Sequence, residues 1–72
     1  MKKYLNRSGQ SGIAYYQIEE TSIIIWFNGS TKSYTYSYRK AGSLHVEAMK
    51  RLATDGLGLN AYINSNVKFL YD

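Results

Sequence analysis

Residues 22–27 constrain the fold of this chain more than any other segment. They read Ser-Ile-Ile-Ile-Trp-Phe, a β-branched and aromatic run that is typical of a strand. Asn28-Gly29 follows at once and tolerates positive φ, so a hairpin turn is predicted there. Between Ser33 and Arg39, tyrosines alternate with small hydroxyl residues, which predicts a return strand with the aromatic rings on one face. The three rings belong to Tyr34, Tyr36 and Tyr38.

One earlier strand and two later helices complete the predicted secondary structure. Residues 13–19 are rich in Tyr and Ile and predict a strand before the hairpin. Apolar residues at helical spacing predict an amphipathic helix that Ser43 caps and Gly56 ends. Asn60 is predicted to cap a second, shorter helix. The apolar stripe of this helix runs to Val67, but Val67, Phe69 and Tyr71 also alternate, so the C-terminus fits a short strand or an extended tail as an alternative to the helix.

These elements predict an α+β fold in one small domain. A three-stranded antiparallel meander is followed by two helices, which we expect to pack on one face of the sheet. The chain has 72 residues, enough for one hydrophobic core. Residues 12–72 are assigned to the domain. Residues 1–11 mix basic and small polar groups without periodicity, so we expect a mobile basic arm that Tyr4 and Leu5 anchor.

Cysteine is missing from the sequence, which excludes disulfides and thiolate metal sites and favours the cytoplasm. Lys2-Lys3 runs into Tyr4-Leu5-Asn6-Arg7, which lacks the apolar segment of a signal peptide. The longest apolar run, residues 23–27, is far too short to span a bilayer. We therefore expect a cytoplasmic protein that does not associate with a membrane.

Catalytic and metal-binding patterns are weak. The single histidine, His45, has no second imidazole nearby in sequence, and Glu47 lies on a different side of the predicted helix. The five carboxylates are scattered, and Gly56-Leu57-Gly58 lacks the residues that complete a phosphate-binding loop. We therefore expect no enzyme activity, no bound metal and no cofactor.

Aromatic and basic residues point instead to nucleic acid. The chain has eight tyrosines, and nine basic against five acidic residues give a net charge of +4. Bases stack on aromatic rings and phosphates attract cations, so single-stranded nucleic acid, RNA above all, is the predicted ligand. The alternative is that the tyrosines serve as half-buried packing of a small sheet. The predicted nucleic-acid-binding residues are Tyr34, Tyr36, Tyr38, Lys32, Arg39 and Lys40.

The central strand offers a second interpretation. Ile23, Ile25 and Phe27 point to one side of it, so Ile24 and Trp26 point to the other, and both faces are apolar. If helices cover one set, the other stays open unless a partner or the N-terminal arm covers it. Exposed apolar patches often mark interfaces, so Ile24 and Trp26 are predicted alternatively to bind a protein partner or a second copy of the chain.

Several short motifs resemble those of the KTSC family, a short domain found at the C-terminus of some lysyl-tRNA synthetases and alone in bacterial proteins. The likeness covers about residues 11–71. The chain departs from the family in two ways, since it has no Val-Pro before the first helix and has Leu59 where an aromatic residue is usual. The matching motifs are Ser11-Gly12-Ile13-Ala14-Tyr15-Tyr16, Ile23-x-Ile25-x-Phe27-x-Gly29, Tyr34-Thr35-Tyr36, Leu52-Ala53-x-x-Gly56 and Asn60-x-x-Ile63. The resemblance implies the fold predicted above and, because RNA binding has been proposed for the family, an RNA ligand.

Overall fold

The structure is a computed structural model that describes residues 1–9 and 11–72. Its strands form one antiparallel sheet in the order β1-β2-β3-β4. The α+β class is confirmed, but the prediction of three strands is wrong because the N-terminal segment adds a fourth. The elements are β1 (Lys2–Lys3), β2 (Ile13–Ile18), β3 (Ser22–Phe27), β4 (Ser33–Ser37), α1 (Ser43–Asp55), α2 (Leu59–Tyr62) and a π-helical turn (Ile63–Val67).

The N-terminal segment packs against the rest of the domain. Tyr4 is 2% exposed, its backbone N–H donates to the carbonyl of Ala14 over 2.9 Å, and its hydroxyl oxygen lies 3.3 Å from the backbone nitrogen of Leu59. The backbone N–H of Arg7 donates to the carbonyl of Gly56 over 2.8 Å. The predicted arm is therefore seated on β2 and on the loop after α1; its residue Gln10 lies outside the described residues.

The hydrophobic core lies between one face of the sheet and α1. Ile23 and Ile25 of β3 and Val46 and Met49 of α1 are completely buried in one cluster with Tyr36 of β4. Helix α1 contacts β3 and β4, whereas α2 packs mainly on α1 and the π-helical turn, so the prediction that both helices pack on the sheet holds for α1 alone. Burying each large apolar side chain contributes about 1.5–3 kcal/mol, so this layer accounts for much of the stability of so short a chain.

Glycines mark the helix ends. Helix α1 begins after Gly42, whose carbonyl accepts the first helical hydrogen bond, from the N–H of Val46 over 3.0 Å. The prediction that the Ser43 side chain caps α1 is therefore wrong, whereas the predicted end at left-handed Gly56 (φ 79°) is confirmed. Gly58 precedes α2, so Asn60 lies inside that helix and does not cap it.

None of the helices in the described residues is long and apolar enough to cross a membrane.

The last residues form a tail without regular secondary structure beside β4. After the π-helical turn, the N–H of Leu70 donates to the carbonyl of Val67 over 2.8 Å and ends the helical backbone. The N–H of Asp72 then donates to the carbonyl of Thr35 over 2.7 Å. The alternating residues therefore form neither a strand nor one extended segment: Val67 ends the π-helical turn, residues 68–69 form a turn, and residues 70–72 belong to no helix or strand.

Candidate functional site

The row of three tyrosines faces the core side of the sheet. Cross-strand partners share a face, and Tyr36 and Tyr34 are the partners of the fully buried Ile23 and Ile25. Tyr36 is only 1% exposed, while Tyr34 and Tyr38 are half-buried against the core. The prediction that bases stack on all three rings is therefore wrong, because the ring of Tyr36 is inaccessible to a ligand.

Burial also changes the acidity of this phenol. Desolvation raises the pKa of Tyr36 to about 12, and the neighbouring phenols of Tyr71 and Tyr34 act in the same direction. The folded protein therefore holds the proton of Tyr36 more tightly than the unfolded chain, in which the phenol ionises near its usual pKa of 10.0.

We expect the stability of the domain to fall as the pH rises through this interval. Between about pH 10 and pH 12 the folded state binds more protons at Tyr36 than the unfolded state, so unfolding becomes easier. The loss attributable to Tyr36 is up to about 1.4 kcal/mol at about pH 11. Urea unfolding at about pH 9 and pH 11 measures it, and Tyr36→Phe is the control. An equal loss in both proteins would show that Tyr36 is not responsible.

Tyr38 belongs to a surface cluster with α1. Its hydroxyl donates to the carboxylate of Glu47, and the ammonium of Lys50 lies 2.9 Å from that carboxylate and 5.5 Å from the Tyr38 ring centre. This hydrogen bond raises the pKa of Tyr38 and lowers the pKa of Glu47. Tyr38 lies in the turn after β4, short of the predicted strand end at Arg39, and its ring is thus already engaged in joining that turn to α1.

The predicted basic residues do not form one patch. Lys32 precedes β4, and Arg39 and Lys40 follow it, all three exposed. The five residues of β4 span about 17 Å, which separates Lys32 from the other two. A ligand that meets Lys32 and both other cations would have to follow the whole length of the strand.

The opposite side of the sheet carries an apolar centre. Ile24 and Trp26 are half-buried and alternate with the fully buried Ile23 and Ile25, so they lie on the other face, as predicted. Strand pairing places Gln17 and Thr35 beside Ile24, and Ser33 beside Trp26. We call the side that carries Ile24 and Trp26 the open sheet face.

A bulge in β2 brings a further ring to this face. Ile13 pairs with Phe27 and Tyr15 pairs with Trp26, so β2 holds one extra residue between these pairs. Tyr15, 39% exposed, therefore lies beside Trp26, and Lys3 of β1 pairs with Tyr15 in turn. Sequence reasoning missed Tyr15 because alternation alone cannot reveal a bulge. Lys3, Tyr15 and Trp26 form one row across three strands.

His45 has a structural partner. Its Nδ1 lies 2.7 Å from the hydroxyl oxygen of Tyr62, and the two rings meet edge to face at 5.8 Å between centres. This contact joins α1 to α2. Among residues 1–9 and 11–72, no group of three or more His, Cys, Asp or Glu side chains is placed to hold a metal ion.

Comparisons of the chain with models of protein families, with curated proteins and with solved structures give no match. No relative therefore supplies a role for the open sheet face. Its chemistry has to be inferred from the row formed by Lys3, Tyr15 and Trp26.

Proposed function

We propose that this domain binds single-stranded nucleic acid, RNA in the first place, on the open sheet face. The observation that carries the proposal is the row of Lys3, Tyr15 and Trp26 across neighbouring strands. Two adjacent aromatic side chains offer stacking surfaces for bases, and an ammonium group beside them attracts the connecting phosphate. The resemblance to the KTSC family points to the same ligand.

The charges around the open sheet face favour binding of phosphate groups at the end that holds Trp26. Lys32 directly precedes Ser33, the cross-strand partner of Trp26, and adds a second exposed cation there. The other end carries both signs of charge, because Glu19 and Glu20 lie before Ser22 and Asp72 accepts a hydrogen bond from Ser37, while Arg39 and Lys40 follow β4 there. Ser22 and Trp26 are about 13 Å apart along β3, so Lys3 and Lys32 stand apart from these carboxylates and beside the rings.

The size of the face argues against a homodimer built on Ile24 and Trp26. Strands of six residues are about 20 Å long, and four strands are about 15 Å across, giving a flat footprint of roughly 300 Å² per subunit. A stable interface buries about 800 Å² of accessible surface on each partner, so a dimer would have to extend well beyond this face. A few nucleotides fit so small a patch better than a second copy of the chain does.

Binding is best followed through Trp26, the single tryptophan of the chain. We expect a short oligouridine RNA to quench its fluorescence. Tyr15→Ala should weaken the affinity about five- to 150-fold, because one stacked base contributes about 1–3 kcal/mol. With two phosphate contacts, the affinity for RNA should fall about sevenfold as the salt concentration rises from about 50 to about 200 mM.

Matched variants locate the site. Lys2 and Lys3 are neighbours in β1, but Lys2 pairs with Tyr16 of the core face, so Lys3→Ala should weaken RNA binding more than Lys2→Ala. Phe69→Ala removes a ring that is 76% exposed away from the sheet face and should have little effect. An unchanged affinity in Tyr15→Ala would refute the proposal. So would a concentration-dependent dimer, seen by light scattering, that Ile24→Ala abolishes.

A further inference from the structure

A second candidate site lies on the other side of the sheet, at the hairpin end of the core face. A cleft of about 360 Å³ opens there between β3, β4, the π-helical turn and the C-terminal tail. This volume is within the range of about 300–1,000 Å³ that small-molecule sites occupy. We call it the aromatic cleft, after the rings among its lining residues Phe27, Tyr34, Tyr36, Phe69 and Tyr71.

The rings of the cleft hold one another in place. Tyr34 meets Phe27 edge to face with 5.5 Å between ring centres, and Tyr71 meets Tyr34 in the same way at 4.9 Å. The ring centres of Tyr71 and Tyr36 are 6.2 Å apart. The tail that carries Tyr71 is tied to β4 by the hydrogen bond from Ser37 Oγ to the Asp72 carboxylate. The aromatic wall is therefore preorganised rather than assembled by a ligand.

The mouth of the cleft combines an exposed ring with a cation. Phe69 is 76% exposed, a large apolar side chain that the core does not use. The ammonium of Lys68 lies 5.5 Å from the centre of that ring. Among the described lining residues, Lys68 is the single charged side chain, and no carboxylate opposes it. The charge of the site is thus complementary to an anion.

We propose that the aromatic cleft binds a small planar aromatic molecule that carries one negative group. The rings of Tyr34 and Tyr71 contact the aromatic part, Phe69 covers it from the solvent side, and Lys68 pairs with the anionic group. The amide of Asn64, which also lines the cleft, adds a polar group that can orient the ligand.

The test compares indole-3-carboxylate with its uncharged carboxamide on the full chain, using amide NMR shifts. We expect the carboxylate to shift Asn64 and Tyr71 and to bind more tightly than the carboxamide. Lys68→Gln should weaken carboxylate binding about two- to fivefold and leave the carboxamide unaffected, as expected for one exposed ion pair. Phe69→Ala should weaken both ligands.

The side chains of Lys68 and Phe69 are both exposed, so the two variants should fold like the parent protein. Leu44→Ala, at a position 88% exposed on α1, serves as the control and should leave both affinities unchanged. Equal binding of the two probes, or shifts centred on Trp26 instead of the cleft, would overturn the proposal. Because the readout is at the cleft, failure here leaves RNA binding to the open sheet face untouched.

Discussion

Replacement of Tyr4 with Ala is expected to remove about 3–5 kcal/mol from the free energy of unfolding, as for large aromatic residues in other cores. Tyr4 is 2% exposed, and its hydroxyl oxygen lies 3.3 Å from the backbone nitrogen of Leu59, at the start of α2. The variant leaves a cavity and takes away the acceptor for a buried N–H. A chain of this length has a total stability of only about 4–11 kcal/mol, so the variant loses a large share of it and, at the low end of this range, is mostly unfolded near room temperature.

Urea unfolding measures the loss, and two variants divide it into parts. Tyr4→Phe keeps the ring and removes the hydroxyl, so it should cost about 1–3 kcal/mol. Leu5→Ala changes the next residue, which is 68% exposed, and should cost under about 0.5 kcal/mol. If Tyr4→Ala were as stable as Leu5→Ala, the N-terminal segment would be the mobile arm predicted from its composition.

Gly56→Ala is expected to destabilise the domain by about 2–4 kcal/mol, the second largest effect. Gly56 ends α1 with φ 79°, where a side chain costs about 1–2 kcal/mol. A Cβ built there would also lie 2.6 Å from the Cβ of Leu5, an atom close to the backbone that cannot swing aside. Relief requires a shift of the N-terminal segment, which strains the hydrogen bond from Arg7 to the Gly56 carbonyl.

Gly29→Ala is the matched control for this contact. Gly29 has a similar φ of 74°, but nothing lies within 4 Å of the added Cβ, so only the conformational cost of about 1–2 kcal/mol remains. Thermal or urea unfolding of both variants isolates the steric part. Equal losses in Gly56→Ala and Gly29→Ala would show that the segment around Leu5 does not press on the helix end.

Local residue patterns predicted the elements whose signals are strongest. The bounds of β3 agree with its β-branched and aromatic run, and α1 spans Ser43–Asp55 as its apolar spacing predicts. Both depend on interactions between residues close in sequence, for which side-chain type is informative. The cap at the start of α1 was predicted less well, because Gly42 occupies the N-cap position that was assigned to Ser43.

The candidate site depended on information that local patterns lack. Alternation showed that Ile24 and Trp26 share a face. It did not show that Tyr15 is the cross-strand neighbour of Trp26, because a bulge in β2 sets that pairing. A bulge arises where two paired strands differ in length by one residue, so its position depends on the partner strand as well as on the strand that carries the extra residue. Tyr15 therefore could not be selected among eight tyrosines from the sequence.

The sequence by itself determined that this chain forms an α+β domain with a two-sided apolar strand, since periodicity and residue type act over a few neighbouring residues. Only the tertiary structure decided which face α1 covers, and with it that Tyr36 is core while Trp26 stays partly open. It also decided that Tyr4 is buried. Both outcomes are set by packing between segments distant in the chain, where the burial of one surface depends on the shape of another.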